Sequence, residues 1–477
     1  FRFRNCRSAC PVPKIGRALS RQLHSWASVF ITPPLGPMAV VDAGNTAWLL
    51  CSTALVLLMT PGLAFFYGGL VHSGNVLNTM MMSLISMGVV AIPWCLLGFS
   101  LAFGTGSPLI GDFAYIGLHG LEDSVWPETA VPALLFVAFQ MAFAIIGAAI
   151  ISGAVVERMR FSAYIIFIFL WSLVVYAPVC HWVWGPGGWI DELGAKDFAG
   201  GTVVHECTGT TAFVLAALLG PGRARAHTEK AQPHSVPFVI LGGALLWFGW
   251  LGFNGGSALA ADFTAALAVL NTCLAAAASL VVWVALVRVQ HRYVSAVGAV
   301  TGFVVGLVII TPAAGFVTPM GAMVMGAVGC CLAYPAFQLE IRWVDDRLDA
   351  FVCHGVSGFI GTLLTGVFAT DGGLAYGGGF QLLGAQIAGG LATAAYSALA
   401  SGALFWAISR CFSMRVPEEH ECHCNGLDCI VHGESAYGDG AFSTSTKAGS
   451  AQVAAKASQG SLGNACEACE SAAGEAV

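Results

Sequence analysis

The sequence predicts an all-α membrane protein of eleven transmembrane helices, with the N-terminus outside and the C-terminus inside. Three observations predict it. Of 477 residues, 57% are hydrophobic and only 10% are charged, against about 25% charged in soluble domains. The apolar residues gather into runs of about 20, the length an α-helix needs to cross a hydrocarbon core. Basic residues then sit in alternate connections between those runs.

The runs fall at 45–67, 79–103, 131–156, 161–183, 201–219, 236–253, 264–287, 294–310, 314–337, 352–369 and 382–409. An odd number of them leaves the two ends of the membrane domain on opposite sides. If the first run enters from outside, one set of connections carries Arg158, Arg160, Arg223, Arg225, Lys230, Arg288, Arg292, Arg342 and Arg347, and Arg410 and Arg415 follow the last run. The other set carries Lys196 alone among bases, with Asp112, Glu122, Asp123, Glu128, Asp191, Glu192, Asp197, Asp262 and Asp371. The positive-inside rule turns that asymmetry into the stated orientation.

The membrane domain is therefore placed at 38–409 and a cytoplasmic tail at 410–437, while 438–477 is Ser-, Ala- and Gly-rich and reads as disordered. Segment 1–37 carries Arg2, Arg4, Arg7, Lys14, Arg17 and Arg21 and no acid. It reads either as an organellar targeting leader or as sequence ahead of a start at Met38.

Composition excludes other classes. The net charge is −6 and the bases are scattered, so there is no nucleic-acid footprint. Cys51, Cys95, Cys180, Cys207, Cys273, Cys330, Cys331 and Cys353 lie within apolar stretches and read as small hydrophobes, not as a disulfide scaffold. His420, Cys422, His423, Cys424, Cys429 and His432 in the tail, with a Cys466/Cys469 pair, have zinc-type ligands. Their spacing fits no standard site, so no metal is expected.

An internal repeat organises the runs. Val204-His205-Glu206-Cys207-Thr208-Gly209 in run five matches Cys353-His354-Gly355-Val356-Ser357-Gly358 in run ten. Phe66-Tyr67-Gly68-Gly69 at the end of run one echoes Phe253-Asn254-Gly255-Gly256 at the end of run six. Both offsets are five runs, and an odd offset inverts the second copy. The fold expected is an inverted five-plus-five repeat plus one extra helix, an architecture of transporters whose sites lie near the midplane.

Within that frame a few residues carry chemistry. An ionisable side chain inside a span is a functional candidate, and His205 and His354 occupy equivalent positions in the two halves. A dry pore favours neutral imidazoles, which share one N–H and still offer a donor or acceptor to a small polar molecule. Asp197 opens run five, where an aspartate caps a helix and also supplies negative potential. Trp182, Trp184, Trp189, Trp247, Trp250, Phe253 and Phe143 gather toward the predicted outer ends. By position they are a membrane belt, and an aromatic mouth also holds cations. Ser257 adds a hydroxyl. Asp349, ahead of run ten, reads as a structural cap, and Glu206 is an acid inside a span with no assigned task.

These segments together resemble the ammonium transporter family (Amt/Mep/Rh), and more closely its Amt/Mep branch. The resemblance rests on Met59-Thr60-Pro61-Gly62-Leu63-Ala64-Phe65-Phe66-Tyr67-Gly68-Gly69, on Asp197-Phe198-Ala199-Gly200-Gly201-Thr202-Val203-Val204-His205, on Gly249-Trp250-Leu251-Gly252-Phe253-Asn254-Gly255-Gly256-Ser257, and on Asp345-Asp346 through His354-Gly355. It runs over about 45–437.

The resemblance implies a homotrimer in a lipid bilayer, with one pore per subunit for ammonium, ammonia or methylammonium, no cofactor and no enzymatic activity. By motif, Trp184, Phe143 and Ser257 match the outer ammonium site, with Asp197 beneath it. Phe143 and Phe253 match the stacked gate, His205 and His354 the twin histidines, and Trp250 the pore-lining tryptophan. Asp349 matches a structural aspartate. Arg415-Val416-Pro417-Glu418-Glu419, Gly426-Leu427-Asp428 and His432-Gly433-Glu434 match a regulatory tail that a PII-class signalling protein or a kinase would address. The Trp184–Asp197 segment is about one residue longer than in bacterial members, His420–Cys424 is a short insertion, and Glu206 falls outside the motif.

The expected function is ammonium transport with separate proton transfer, across the plasma membrane or, with a true leader, an organellar one. A neutral Rh-like gas channel is the alternative. An ammonium sensor and a b-type haem oxidoreductase using the two histidines rank below it.

Overall fold

The computed structural model describes residues 40–222, 233–339, 343–421 and 426–437. The leader at 1–37, the 438–477 tail, the bases Arg223, Arg225, Lys230 and Arg342, and Cys422, His423, Cys424, Cys466 and Cys469 lie outside the described residues.

Among the described residues, eleven apolar helices follow the runs in order: α1 Ala43–Leu70, α2 Ser73–Phe103, α3 Ala133–Val155, α4 Phe161–Glu192, α5 Gly201–Leu219, α6 Val236–Gly256, α7 Phe263–His291, α8 Ala296–Ile310, α9 Pro319–Phe337, α10 Phe351–Phe368 and α11 Gln381–Ser409. Ten of these are long and apolar enough to cross a membrane, while α8 is apolar but has 15 residues. Helices are what such a chain must form, because a backbone in hydrocarbon can satisfy its own amides only within the segment or in a closed barrel. Five of the starts are sealed by the side chain of the residue just before them. Asp42, Ser235, Asp262, Ser295 and Thr318 each accept an amide three residues on, opening α1, α6, α7, α8 and α9. Ile92, Leu96, Phe248, Val281, Leu332 and Leu399 lie in mid-helix and stay exposed, forming an apolar waist far larger than a soluble surface tolerates.

One sequence boundary moves. Residues 314–318 are apolar and were expected to open the ninth span, but they lie in the turn before α9. Pro319 stands in the first turn of that helix and Thr318 caps it, the arrangement that proline's missing N–H favours. In the turn, Phe316 O accepts from Thr370 N at 2.9 Å.

The halves pair as the repeat predicts. α1 lies along α6 in the opposite direction, with Ser235 N bonded to Gly69 O at 3.2 Å where α6 starts and α1 ends. α5 and α10 cross by glycine contact. A Cβ on Gly209 would fall 2.1 Å from Gly355 N, and one on Gly358 would fall 2.9 Å from Gly201 O and 3.1 Å from His205 Cβ. Gly209 and Gly358 each follow a histidine by four residues, so the H-x-x-[ST]-G pattern is what allows the two histidine helices to touch.

The tail folds back on one end of the bundle. Arg415 bonds Leu219 O at 2.7 Å and Glu421 Oε1 at 2.8 Å, and so holds the end of α5. Asp428 accepts from Leu77 N and Asn78 N at 3.0 and 2.8 Å, capping α2. This is the tail end of the molecule, and Trp184 marks the opposite one.

Candidate functional site

Two short π-helical turns carry the central residues. Gly201–Glu206 opens α5 and holds His205, and Phe351–Val356 opens α10 and holds His354. Such turns concentrate at functional sites, because the extra residue per turn re-aims side chains. Each is anchored by a carboxylate eight residues before its histidine. Asp197 Oδ1 accepts from Gly200 N and Gly201 N, and its Oδ2 from Thr202 N and Val203 N, all within 3.1 Å. Asp346 accepts from Ala350 N at 3.0 Å and Phe351 N at 2.7 Å. The Asp346 carboxyl is pushed up to about 7 by burial first and by neighbouring Asp349 second.

The anchored turns bring His205 and His354 together, Nδ1 to Nδ1 at 3.2 Å. Both are buried, with 1% and 4% exposure. A shared N–H between the two Nδ1 atoms makes one ring the donor. Its own Nε2 is then a bare acceptor, and the other ring's Nε2 must carry the proton. The pair therefore presents one acceptor and one donor. His205 Nε2 has no protein partner. The His205 ring stacks on Trp250 and Phe253 at 5.2 and 5.7 Å between centroids. Trp250 is fixed by its N–H to Thr311 Oγ1 at 2.9 Å.

Toward the Trp184 end, Phe253 stacks on Phe143 at 4.1 Å between centroids, with 24° between planes. Phe143 meets Trp184 edge-on at 6.0 Å. Trp184 donates to the carbonyl of Asp197 at 2.9 Å. Three spaces border these residues. An open cleft of about 690 Å³ is lined by Trp184, Ser257, Gln140, Asp191 and Phe198. Beyond the Phe143–Phe253 stack, a cavity of about 10 Å³ is walled by Phe66, Ile146, Trp250, Phe253 and the two histidines, room for about one water. His354, Phe66 and Asp349 then line a second cleft of about 180 Å³.

A model of the Ammonium Transporter Family matches residues 47–437. The chain belongs to the Ammonium Transporter Family. An ammonium transporter of Bacillus subtilis (strain 168) is 44% identical over 410 residues, covering 84% of this chain and all of the relative. Among solved structures, Candida albicans Mep2 superposes with a TM-score of 0.76 at 34% identity, covering 80% of this chain and 88% of the other. A sensor Amt protein superposes at 0.74 with 30% identity, covering 82% and 98%. With its apolar helices, this member of the Ammonium Transporter Family is a multi-pass membrane protein.

Of the residues singled out in the sequence, this Ammonium Transporter Family member joins Trp184, Phe143, Phe253, Trp250, His205 and His354 by successive ring contacts, with Ser257 bonded to Phe253. Ser257 reaches the cleft at the end of α6 and donates to Phe253 O at 2.9 Å. The Asp197 carboxylate is spent on its own helix's four amides. Asp349 has a left-handed φ of 57°, and its carbonyl accepts from Cys353 N at 2.9 Å. Asp346 also bonds the start of α10 through its carboxylate, a capping role that the sequence reading did not give it. Its signal was available, since Asp346 precedes His354 by the same eight residues that separate Asp197 from His205. Gln140 and Phe66 were also missed. Gln140 faces the open cleft and Phe66 borders both inner spaces.

Proposed function

We propose that this protein is an ammonium transporter that takes ammonium at the Trp184 end, passes ammonia through the histidine-lined constriction and moves the proton separately. The observation that carries the reading is the stacked Phe143–Phe253 pair closing on an apolar space whose polar groups are two bonded histidines. A bare ion in such a space loses its hydration for too little return, at a cost of several kcal/mol. Potassium, close to ammonium in size, has no way round that cost. Ammonium has one, because it can leave a proton behind and cross neutral. The paired Nε2 atoms then receive ammonia with one acceptor and one donor. Trp184, Phe143 and Ser257 offer ring faces and a hydroxyl to the cation, and Asp197 fixes the helix that carries His205.

The Trp184 end faces outward in this reading and the basic loops and tail face the cytoplasm. The protein works as a homotrimer in the plasma membrane. The tail, bonded to α2 and α5, is the site where a PII-class partner or a kinase would act. The proton either crosses, making transport electrogenic, or stays behind, making the protein a neutral gas channel.

The test is membrane current in cells expressing Met38–Val477 on adding ammonium and then potassium. A saturable inward current for ammonium alone is expected, abolished or uncoupled in His205→Ala/His354→Ala and lost in Asp197→Ala. Ammonia-driven pH change in proteoliposomes without current would establish the neutral channel. Unchanged rate and selectivity in the double histidine variant would remove the histidines from the mechanism.

A further inference from the structure

Glu206 is the one acid of the α5 turn that the reading above leaves idle. It follows His205 in the chain but faces the other way. His205 stacks against α6, whereas Glu206 points at α11, where a Cβ on Gly390 would lie 3.2 Å from its Oε2. The residue is 2% exposed, and neither carboxyl oxygen has a hydrogen-bond partner.

Its surroundings are polar in layers one helical turn apart. Toward the Trp184 end, Thr202 on the same face of α5 has its Oγ1 3.2 Å from Thr362 Oγ1 of α10, and its amide is held by Asp197. Gln386 of α11 closes that layer by donating to Thr362 O at 3.1 Å and Lys196 O at 2.8 Å. Glu206 is the next layer. Beyond it on α11 stand Thr393, whose hydroxyl oxygen lacks a partner, and Ser397, which faces Cys207 of α5, both buried. Ser401 follows, 2.9 Å from Thr211 Oγ1 of α5. Four residues of helix rise about 6 Å, which one bridging water spans.

We propose that Glu206 is a proton-accepting group of the transport cycle, set in a polar column between α5, α10 and α11 that runs beside the pore. The proposal rests on the electrogenic reading and names where the proton goes. An N–H bond of ammonium breaks at the outer cleft and ammonia continues into the pore. Each hydroxyl of the column accepts one proton and releases another. An O–H bond forms on the Glu206 carboxylate, which later gives that proton up toward Ser397 and Ser401. A proton is the cation suited to such a place, because it needs only a chain of lone pairs and, at each gap, room for a single water. Burial without a partner also disfavours a standing charge on the acid, so Glu206 cycles between neutral and transiently charged forms.

The experiment compares wild type, Glu206→Gln and Glu206→Asp, reading ammonium-evoked current in cells and ammonia-driven pH change in proteoliposomes. In Glu206→Gln, which keeps size and shape, current is expected to fall by roughly a hundredfold or more, the scale of a lost proton-transfer group, with ammonia entry retained. Glu206→Asp, still an acid, recovers part of the current. Infrared difference spectra of the wild type on ammonium addition should show a carboxylic C=O band that Glu206→Gln lacks. Equal loss of current and ammonia entry in Glu206→Gln, full current in that variant, or no carboxylic band in the wild type each overturns the assignment. A wild type with ammonia entry and no current fails earlier, at the electrogenic reading, and takes Glu206 with it.

Discussion

Phe253 touches three working parts at once: Phe143 on one side, His205 on the other, and Trp250 one turn away on its own helix. Its ring is what separates the wide cleft from the small apolar space. Phe253→Ala should therefore join the two and raise osmotic water permeability of proteoliposomes several-fold, measured by stopped-flow light scattering. A variant as water-tight as the wild type would show that the stack does not gate. At this scale the sequence was legible wherever chemistry broke the apolar background, as with His205 and His354. It was less legible where several similar residues competed. Asp345, Asp346 and Asp349 stand within five positions, and composition does not say that Asp346 turns its oxygens to α10.

The matched starts of α5 and α10 make the histidine pair a property of two helix ends rather than of two residues. Asp346 sits outside the membrane span, and its carboxyl titrates near 7 because burial and then Asp349 disfavour its charge. The folded protein therefore keeps a proton, between about pH 4 and 7, that the unfolded chain has released. Stability from this group is complete below the ordinary carboxylate range and is lost as pH rises through about 7. Asp346→Asn removes that dependence. Melting of the purified protein in detergent should fall with pH more steeply in wild type than in the variant, by at most about 1.4 kcal/mol per pH unit. Parallel pH profiles would contradict it. Helix existence was legible throughout, because runs of this length and hydropathy have few other fates. The π turns were not, since hydropathy does not register which carbonyl an amide chooses. Nor was the late start of α9, since an apolar turn such as 314–318 scores like a span.

Over the whole molecule, the inverted repeat was readable from two short matches with a common offset, because the close crossing needs glycine at the same place in each half. The docking of the tail was not readable, since its contacts reach residues hundreds of positions away. Asp428→Ala would strip Leu77 N and Asn78 N of their acceptor, at a cost of roughly 1–2 kcal/mol by analogy with a lost helix cap. Limited proteolysis should then cut the 410–437 segment faster than in wild type, with the helical bundle left intact. Equal cleavage rates would mean that the other tail contacts, such as Arg415 with Glu421 and Leu219, hold it alone.

The same contact says something about how the protein is made. Asp428 seals a helix start 350 residues earlier in the chain, so α2 is threaded into the bilayer long before its cap is synthesised. A nascent chain stalled between the end of α11 and Asp428 has its pore helices but lacks the carboxylate that accepts from Leu77 N and Asn78 N.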